Sequence, residues 1–356
     1  MPIADIPDWK ERIARHDAFW RREIIDRPVI CITIPKPQAQ APPPPQRTYA
    51  SQREQWLDAD GAAQRALAAA LTHDYLGDAL PHAYPFIGAE VFSAFFGLQL
   101  EYSPDTAWSV PCLRSWEDVA NLRFDPHGFY WRKVVEFTDA FLTAGRNRFY
   151  CGITDLHNGA DAIAAFRDPA QLNLDLLDAP DQVRSLLGYL DDAYARVYDY
   201  FHQKLTTAGQ PICTWMPIVS TKRWYVVSND FSCMISSRMF DDMFLPGIVA
   251  ECRQYQACIY HLDGPGALRH LDSLLAIPEI SAIQWVQGAG HGGIADWMWL
   301  YQRCQAAGKG LYLDCGTGDL DLLMSRLRPQ GMLLHLWGPK DRNEAEAVLK
   351  EVARWR

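Results

Sequence analysis

The sequence lacks the features that mark several large classes of protein. It has no apolar run near the roughly 20 residues that cross a bilayer, and its first residues, MPIADIPDWKERIARHD, are charged where a signal peptide would be apolar. Its formal net charge is −9, and its lysines and arginines form no stripe that could neutralise a phosphate backbone. We therefore expect a cytoplasmic protein that binds neither nucleic acid nor a membrane.

Paired cysteines and a phosphate-binding turn are also missing. The nine cysteines include no CxxC pair and are odd in number, which supports neither a zinc ribbon nor a disulfide framework. The first predicted strand, PVICITI (28–34), is followed by PKPQAQAPPPPQ, which has none of the glycines of a dinucleotide-binding turn. The sequence therefore predicts no nucleotide cofactor.

From about residue 148 onward, short apolar runs alternate regularly with helical runs. Apolar runs that end in polar residues or glycine, with helices between them, predict parallel βαβ units. Those runs are FYCGITD (149–155), RWYVVSND (223–230), CIYHLDG (258–264), ISAIQWV (280–286), GLYLDCG (310–316) and GMLLHLWG (331–338). With the first strand these make seven, close to the eight of a (β/α)8 barrel of TIM type, and we predict such a barrel.

The whole chain, 1–356, is predicted to be one domain, with the barrel formed by 28–356. A helical segment is expected at 1–27, before the first strand. A proline-rich loop is expected at 35–50, because the four consecutive prolines within APPPPQ (41–46) can neither continue a helix nor donate hydrogen bonds to a sheet.

Four further segments carry a family resemblance through their order and spacing. They are FIGAEVFSAFFG (86–97), AFRDPAQLNLDLLDAPDQVRSLL (165–187), NDFSCMISSRMFDDMFLPGI (229–248) and IYHLDGPGALRHLDSLLAIPEISAIQW (259–285). Together they resemble the uroporphyrinogen decarboxylase-like superfamily, which contains the decarboxylases and the zinc- and cobamide-dependent methyltransferases. The resemblance covers nearly the full length and implies a barrel enzyme that acts on a small polar molecule.

The chain departs from both branches of that superfamily. The decarboxylases bind porphyrinogen carboxylates with an arginine-rich motif after the first strand, but no arginine lies between Arg27 and Arg47 here. Their essential aspartate is replaced by Gly88 or a neighbouring residue. The methyltransferases bind zinc through His-x-Cys and a later cysteine, whereas this chain has His261-x-Asp263 and HLWGP (335–339). The zinc site is therefore lost or rebuilt with oxygen ligands, which suit a weaker zinc site or a harder divalent ion.

Polar residues at strand ends are the candidate functional groups, because catalytic groups in a (β/α)8 barrel project from the carboxyl ends of its strands. His261 and Asp263 are two apart on one strand, so both face the same side, and we predict that they bind a divalent metal or act as an acid/base pair. The predicted catalytic residues are Asp230, Asp263, His261 and Asp155. The predicted substrate-binding residues are Glu90, His157, Gln284, Trp285, His335 and Trp337. The structural alternative is that the carboxylates cap helices or turns.

Three functions fit these residues. The first is a metal-dependent group transferase resembling the methyltransferases, in which the metal activates a thiol or oxygen acceptor and a separate corrinoid protein is the partner. The second is a hydrolase or lyase of a sugar-like substrate that uses two of Asp155, Asp230 and Asp263 as acid and base or nucleophile, and the thirteen tryptophans favour such a ligand. The third is a barrel that binds a small molecule without converting it.

We predict that uroporphyrinogen is not a substrate. Without the arginine-rich motif and the aspartate near Gly88, its carboxylates would have almost no binding partners. A direct decarboxylation assay with the pure protein checks this prediction. Turnover at about 1 per second or faster, which is ordinary for enzymes, would contradict it.

Overall fold

The computed structural model describes residues 3–37 and 46–356, so most of the APPPPQ run lies outside the described residues. Eleven strands lie in these ranges. They are β1 (Val29–Pro35), β2 (His73–Gly77), β3 (His82–Ala83), β4 (Gln99–Tyr102), β5 (Ala107–Val110), β6 (Tyr150–Cys151), β7 (Trp224–Ser228), β8 (Ala257–Asp263), β9 (Ala282–Val286), β10 (Gly310–Gly316) and β11 (Met332–Trp337).

The largest sheet confirms the predicted parallel α/β architecture. It has seven strands in the order β2-β1-β11-β10-β9-β8-β7, and every neighbouring pair is parallel except β1 with β2. The central strands are apolar and mostly buried, which is the pattern of a parallel sheet whose faces are both covered. All seven strands that the sequence predicts form at the expected places, although β6 keeps only two residues of its predicted run.

The sequence did not reveal the remaining strands. β2 is a half-buried antiparallel edge strand, β3 pairs in parallel with β6, and β4 and β5 form a separate hairpin. Within the described ranges, backbone pairing does not join β3 and β6 to the large sheet. The parallel sheet is therefore confirmed, while closure into a barrel stays a prediction.

Helices alternate with the strands of the large sheet. They are α1 (Trp9–Trp20), α2 (Gln52–Trp56), α3 (Ala59–Thr72), α4 (Val91–Ala94), α5 (Phe129–Ala144), α6 (Gly159–Arg167), α7 (Pro169–Asp178), α8 (Pro180–Thr207), α9 (Ser237–Met239), α10 (Leu245–Cys252), α11 (Leu271–Leu275), α12 (Met298–Ala306), α13 (Leu320–Arg326) and α14 (Arg342–Val352). Single 3-10 turns follow β7, β8 and β10, and a π-helical turn, Phe240–Phe244, joins α9 to α10. Nowhere in the described ranges does a helix have both the length and the apolar character needed to cross a membrane.

The long helix α8 shows how the helices cover the sheet. It begins with Pro180 at its first position, where the missing N–H costs no hydrogen bond. Its buried residues, such as Val183, Leu186 and Leu190, recur three or four positions apart and so form one apolar face. The opposite face carries charged residues, so the helix is amphipathic.

A buried carboxylate joins the N-terminal helix to the first strand. Asp78 is fully buried, accepts a hydrogen bond from the N–H of Ile30 at 3.0 Å, and forms ion pairs with Arg27 and, at 3.4 Å, with Arg15. Arg15 belongs to α1 and Arg27 precedes β1. Removing one partner of a buried ion pair is strongly destabilising, because the remaining charge is left uncompensated.

We expect Asp78→Ala to lower the free energy of unfolding by about 3 kcal/mol or more, because two arginines and one backbone N–H would lose their partner. Urea denaturation followed by circular dichroism measures this loss. The matched control is Asp74→Ala, whose ion pair with Arg342 lies nearer the surface and should contribute no more than about 1 kcal/mol. Equal losses in the two variants would contradict the structural role of Asp78.

Candidate metal and active site

Two neighbouring strand ends bring together an aspartate, a histidine and a second aspartate. His261 and Asp263 alternate along β8 with the buried Tyr260 and Leu262, so both side chains face away from the core. Asp230 begins the 3-10 turn that follows β7. The ligand atoms of Asp230, His261 and Asp263 all lie within 4.8 Å of one another, near enough to hold a single metal ion. We call these three residues the strand-end triad.

Gln284 orients the histidine of the triad. It is the direct cross-strand neighbour of His261, and its Oε1 accepts a hydrogen bond of 2.7 Å from His261 Nδ1. The edge of the His261 ring also packs against Trp215, with ring centroids 5.6 Å apart. Nδ1 therefore carries the proton, and Nε2 is directed toward Asp230 Oδ1, 4.0 Å away. Metal-binding histidines are commonly fixed in this way through their other ring nitrogen.

The sequence did not reveal Asp161, a residue in the first turn of α6. Its carboxylate accepts hydrogen bonds from the backbone N–H groups of Asp230 at 3.0 Å and Phe231 at 2.8 Å, and so holds the start of the turn that carries Asp230. Burial, and then the charge of Asp230, raise the pKa of Asp161 to about 6. Asp161 lies on a helix, and the rule that catalytic groups follow the ends of barrel strands therefore does not point to it.

His157 supplies positive charge on the other side of Asp230. Burial opposes its protonation, but Asp155, whose Oδ2 lies 3.3 Å from His157 Nε2, and the charges of Asp161 and Asp230 outweigh burial and raise the pKa of His157 to about 10. His157, Asp161 and Asp230 also have ligand atoms within 4.8 Å of one another. A protonated imidazole offsets carboxylate charge but cannot donate a lone pair to a metal, so the strand-end triad is the better candidate of the two groups.

Two adjoining cavities open beside these residues and together form what we call the cleft. The first, of about 280 Å³, is bounded by Asp155, His157, Trp215 and His261 among others. The second, of about 320 Å³, is bounded by Glu90, His157, Asp161 and Asp230 among others. They share His157 and Ala89. The cleft is therefore large enough for a small molecule in contact with the triad.

Glu90 brings a carboxyl group to the cleft from the segment before α4. Its Oε2 is buried and has no hydrogen-bond partner among the described residues. Burial raises its pKa, which favours the protonated form more than in a solvated glutamate. A carboxyl group with a raised pKa is a stronger general base than a solvated glutamate.

Among the described residues that border the cleft, four of the predicted substrate-binding residues do not occur: Gln284, Trp285, His335 and Trp337. Gln284 is buried against His261, and Trp285 is buried against Trp297 with ring centroids 4.8 Å apart. His335 Nδ1 donates a hydrogen bond of 2.7 Å to Asp314 on the neighbouring strand. Trp337 is 66% exposed and packs over Gly316, where any side chain would collide with its ring. Trp285 is thus too enclosed to stack on a ligand, and Gln284 positions the histidine.

Comparison with known proteins gives a fold but no family. No protein-family model matches the sequence, and no curated protein matches it. The structure is similar to that of a methyltransferase from Methanosarcina mazei, with a TM-score of 0.61 over 96% of this chain and 98% of that chain. The chain shares the fold of a methyltransferase. The sequences of the two are 11% identical, so the similarity concerns the fold.

We expect His157 to remain protonated at neutral pH and to titrate near pH 10 in metal-free protein. Because this pKa lies above the ordinary value of 6.5, the stabilisation from Asp155 is complete below about pH 6.5 and is lost as the pH rises through about 10. Imidazole chemical shifts, followed by NMR against pH, give the titration directly. Asp155→Asn should lower the pKa of His157, and a wild-type midpoint near 6.5 would contradict the geometry.

Proposed function

We propose that the chain is a metal-dependent group transferase of methyltransferase type that acts on a small molecule. The strand-end triad carries the proposal, since it joins one histidine and two carboxylates at the edge of a cleft of suitable size. The fold shared with a methyltransferase supports the same reaction class. We further propose that the chain is a divergent member of the uroporphyrinogen decarboxylase-like superfamily, a single domain in which residues 28–356 form a closed (β/α)8 barrel.

The barrel proposal rests on strand directions and contacts. β1, β3, β6 and β7 to β11 make eight strands, and each hydrogen-bonded pair among them is parallel. The pair β3–β6 would fill the gap between β1 and β7. One contact is consistent with that position: Tyr225 of β7 donates its hydroxyl to the backbone carbonyl of Thr154, just after β6. A closed barrel also brings Asp155, Asp230, His261 and Asp263 to one end.

The residues present fit a divalent metal. Asp230 Oδ1 is buried without a hydrogen-bond partner among the described residues, and a cation would supply the missing interaction. Burial, and then the charge of Asp230, raise the pKa of Asp263 by more than His261 lowers it, so a bound cation would stabilise the charged form of this carboxylate. One imidazole with two carboxylates suits zinc or a harder ion and leaves coordination positions for a substrate. The capping alternative for Asp263 is less consistent, because Gly264 holds the cap position of the turn that follows.

The triad, Gln284 and Glu90 each have a role in the proposed reaction. His261, Asp230 and Asp263 hold the metal, and Gln284 fixes the ring of His261. A bound divalent ion would lower the pKa of a thiol or hydroxyl acceptor and so strengthen it as a nucleophile. Glu90 Oε2, which has no partner among the described residues, takes the proton that the acceptor releases. We further propose that a separate corrinoid protein carries the methyl donor, as the resemblance to the cobamide-dependent methyltransferases implies.

We predict that protein freed of metal with a chelator binds one Zn²⁺ or Mn²⁺ per chain. Asp263→Asn should weaken this binding by about 10-fold or more, because asparagine keeps the shape of aspartate but lacks the charged ligand. Isothermal titration measures both affinities. In a screen of methyl donors with thiol and alcohol acceptors, the same variant should lose on the order of 10²-fold in turnover.

The matched control for this experiment is Asp321→Asn, an exposed aspartate in the first turn of α13. It makes the same change in net charge outside the triad and outside the residues that border the cleft, and it should bind metal as the wild type does. Thermal unfolding of both variants checks that the fold is intact. Unchanged metal binding and turnover in a folded Asp263→Asn variant would refute the site.

A further inference from the structure

A third cavity, of about 290 Å³, lies between α8, α10 and the end of β7, and we call it the lateral cavity. It shares only Ser228 with the residues that border the cleft. The proposed transferase site makes no use of it. The π-helical turn Phe240–Phe244, a feature that often occurs at functional sites, forms part of its wall.

Two buried amide oxygens border the lateral cavity without a hydrogen-bond partner among the described residues. They are Oδ1 of Asn158 and Oδ1 of Asn229, in side chains that are 6% and 5% exposed. Asn158 Nδ2 donates a hydrogen bond of 2.8 Å to Asp191 Oδ1, which fixes which end of that amide is oxygen. Buried acceptors without donors cost stability, so these two atoms call for an explanation such as a missing ligand.

The lateral cavity is also lined by acidic side chains. Asp191 and Glu251 both border the lateral cavity, one from α8 and the other from α10. Burial, partly offset by a hydrogen bond from Tyr194, and then the neighbouring charge of Asp191 raise the pKa of Glu251 to about 8, and His157 offsets this negative charge only in part. Arg184 also borders the cavity, but its guanidinium is half exposed and lies 3.4 Å from Asp181 at the surface. The interior of the cavity therefore contains acceptors and carboxyl groups.

The remaining walls are apolar. They include Leu187, Met243, Phe244, Pro246 and Ile248. A bare divalent ion would make no use of these walls, and a neutral alcohol would leave the carboxyl groups without an opposite charge. An ion with an alkyl part matches both kinds of lining.

We propose that the lateral cavity binds a small organic cation, a primary alkylammonium whose three N–H donors meet Asn158, Asn229 and Asp191 and whose alkyl part packs on the apolar walls. The chain geometry explains why this cavity lies beside the cleft. Asn158 follows His157 in extended backbone, and Asn229 precedes Asp230. Successive side chains of an extended segment face opposite sides. His157 and Asp230 border the cleft, while Asn158 and Asn229 border the lateral cavity.

Titration of the full chain with n-butylammonium chloride tests the proposal, with 1-butanol as the neutral probe of equal size and MgCl₂ as the metal probe. We expect butylammonium to bind at least about 10-fold more tightly than 1-butanol, because only the ammonium carries an opposite charge and three donors. Isothermal titration and the shift of the thermal midpoint give two independent readouts. Equal binding of the two alkyl probes, or binding of Mg²⁺ that depends on Asp191, would overturn the proposal.

Asp191→Asn removes the charge while keeping an oxygen that Asn158 can contact, and it should weaken butylammonium binding about 10-fold or more. The matched control is Asp192→Asn, which makes the same change one residue along α8 on the exposed face. It should bind as the wild type does. Equal losses in the two variants would mean that only the long-range charge of the helix matters, which would overturn the proposed site.

A steric variant makes the test independent of charge and of the stability of Asp191→Asn. Gly188 borders the cavity on α8, and a Cβ atom there would meet no atom within 4 Å. Gly188→Leu should fill the cavity entrance and abolish butylammonium binding, while the thermal midpoint does not fall, since leucine is the better helix former. Full binding in Gly188→Leu would show that the probe occupies another place and would overturn the proposal.

Discussion

Negative charge concentrated at the ends of β7 and β8 is the constraint on which the surrounding structure depends. Asp230 lies between Asp161 on one side and Asp263 on the other, and each neighbour has a carboxylate oxygen within 4.8 Å of one on Asp230. Like charges this close oppose each other's ionisation, which contributes to the raised pKa values of Asp161 and Asp263. Such an arrangement persists in a folded protein only where other groups offset the charge.

The two sides of Asp230 differ in how this offset is made. On the side of Asp161, the imidazolium of His157 and two backbone N–H groups offset the carboxylates. On the side of Asp263, His261 directs its Nδ1 proton to Gln284, which leaves Nε2 as the ring nitrogen that faces Asp230. The protein thus compensates one half of the cluster with its own residues. In the other half, a cation from solution is the group that would complete the balance.

Local patterns predicted the parallel strands and the pairing of His261 with Asp263, because alternation along a strand fixes both burial and facing direction. They did not predict Asp161, whose contacts with the Asp230 turn join residues 69 and 70 positions apart. They also assigned Gln284 to the substrate, although its register places it beside His261. Facing direction is a property of a few neighbouring residues, whereas a hydrogen bond between distant segments depends on how the whole sheet is assembled.

The alternating direction of neighbouring side chains also links the cleft with the lateral cavity. His157 and Asn158 are consecutive, as are Asn229 and Asp230, and in each pair one residue borders the cleft while the other borders the lateral cavity. Asp161 fixes the backbone of Asp230, and Asp191 fixes the amide of Asn158. A change on either side of these short segments therefore acts on backbone that both cavities share. The cleft and the lateral cavity lie on opposite sides of the same strand-end segments. The backbone that positions the polar residues of one cavity therefore also positions those of the other.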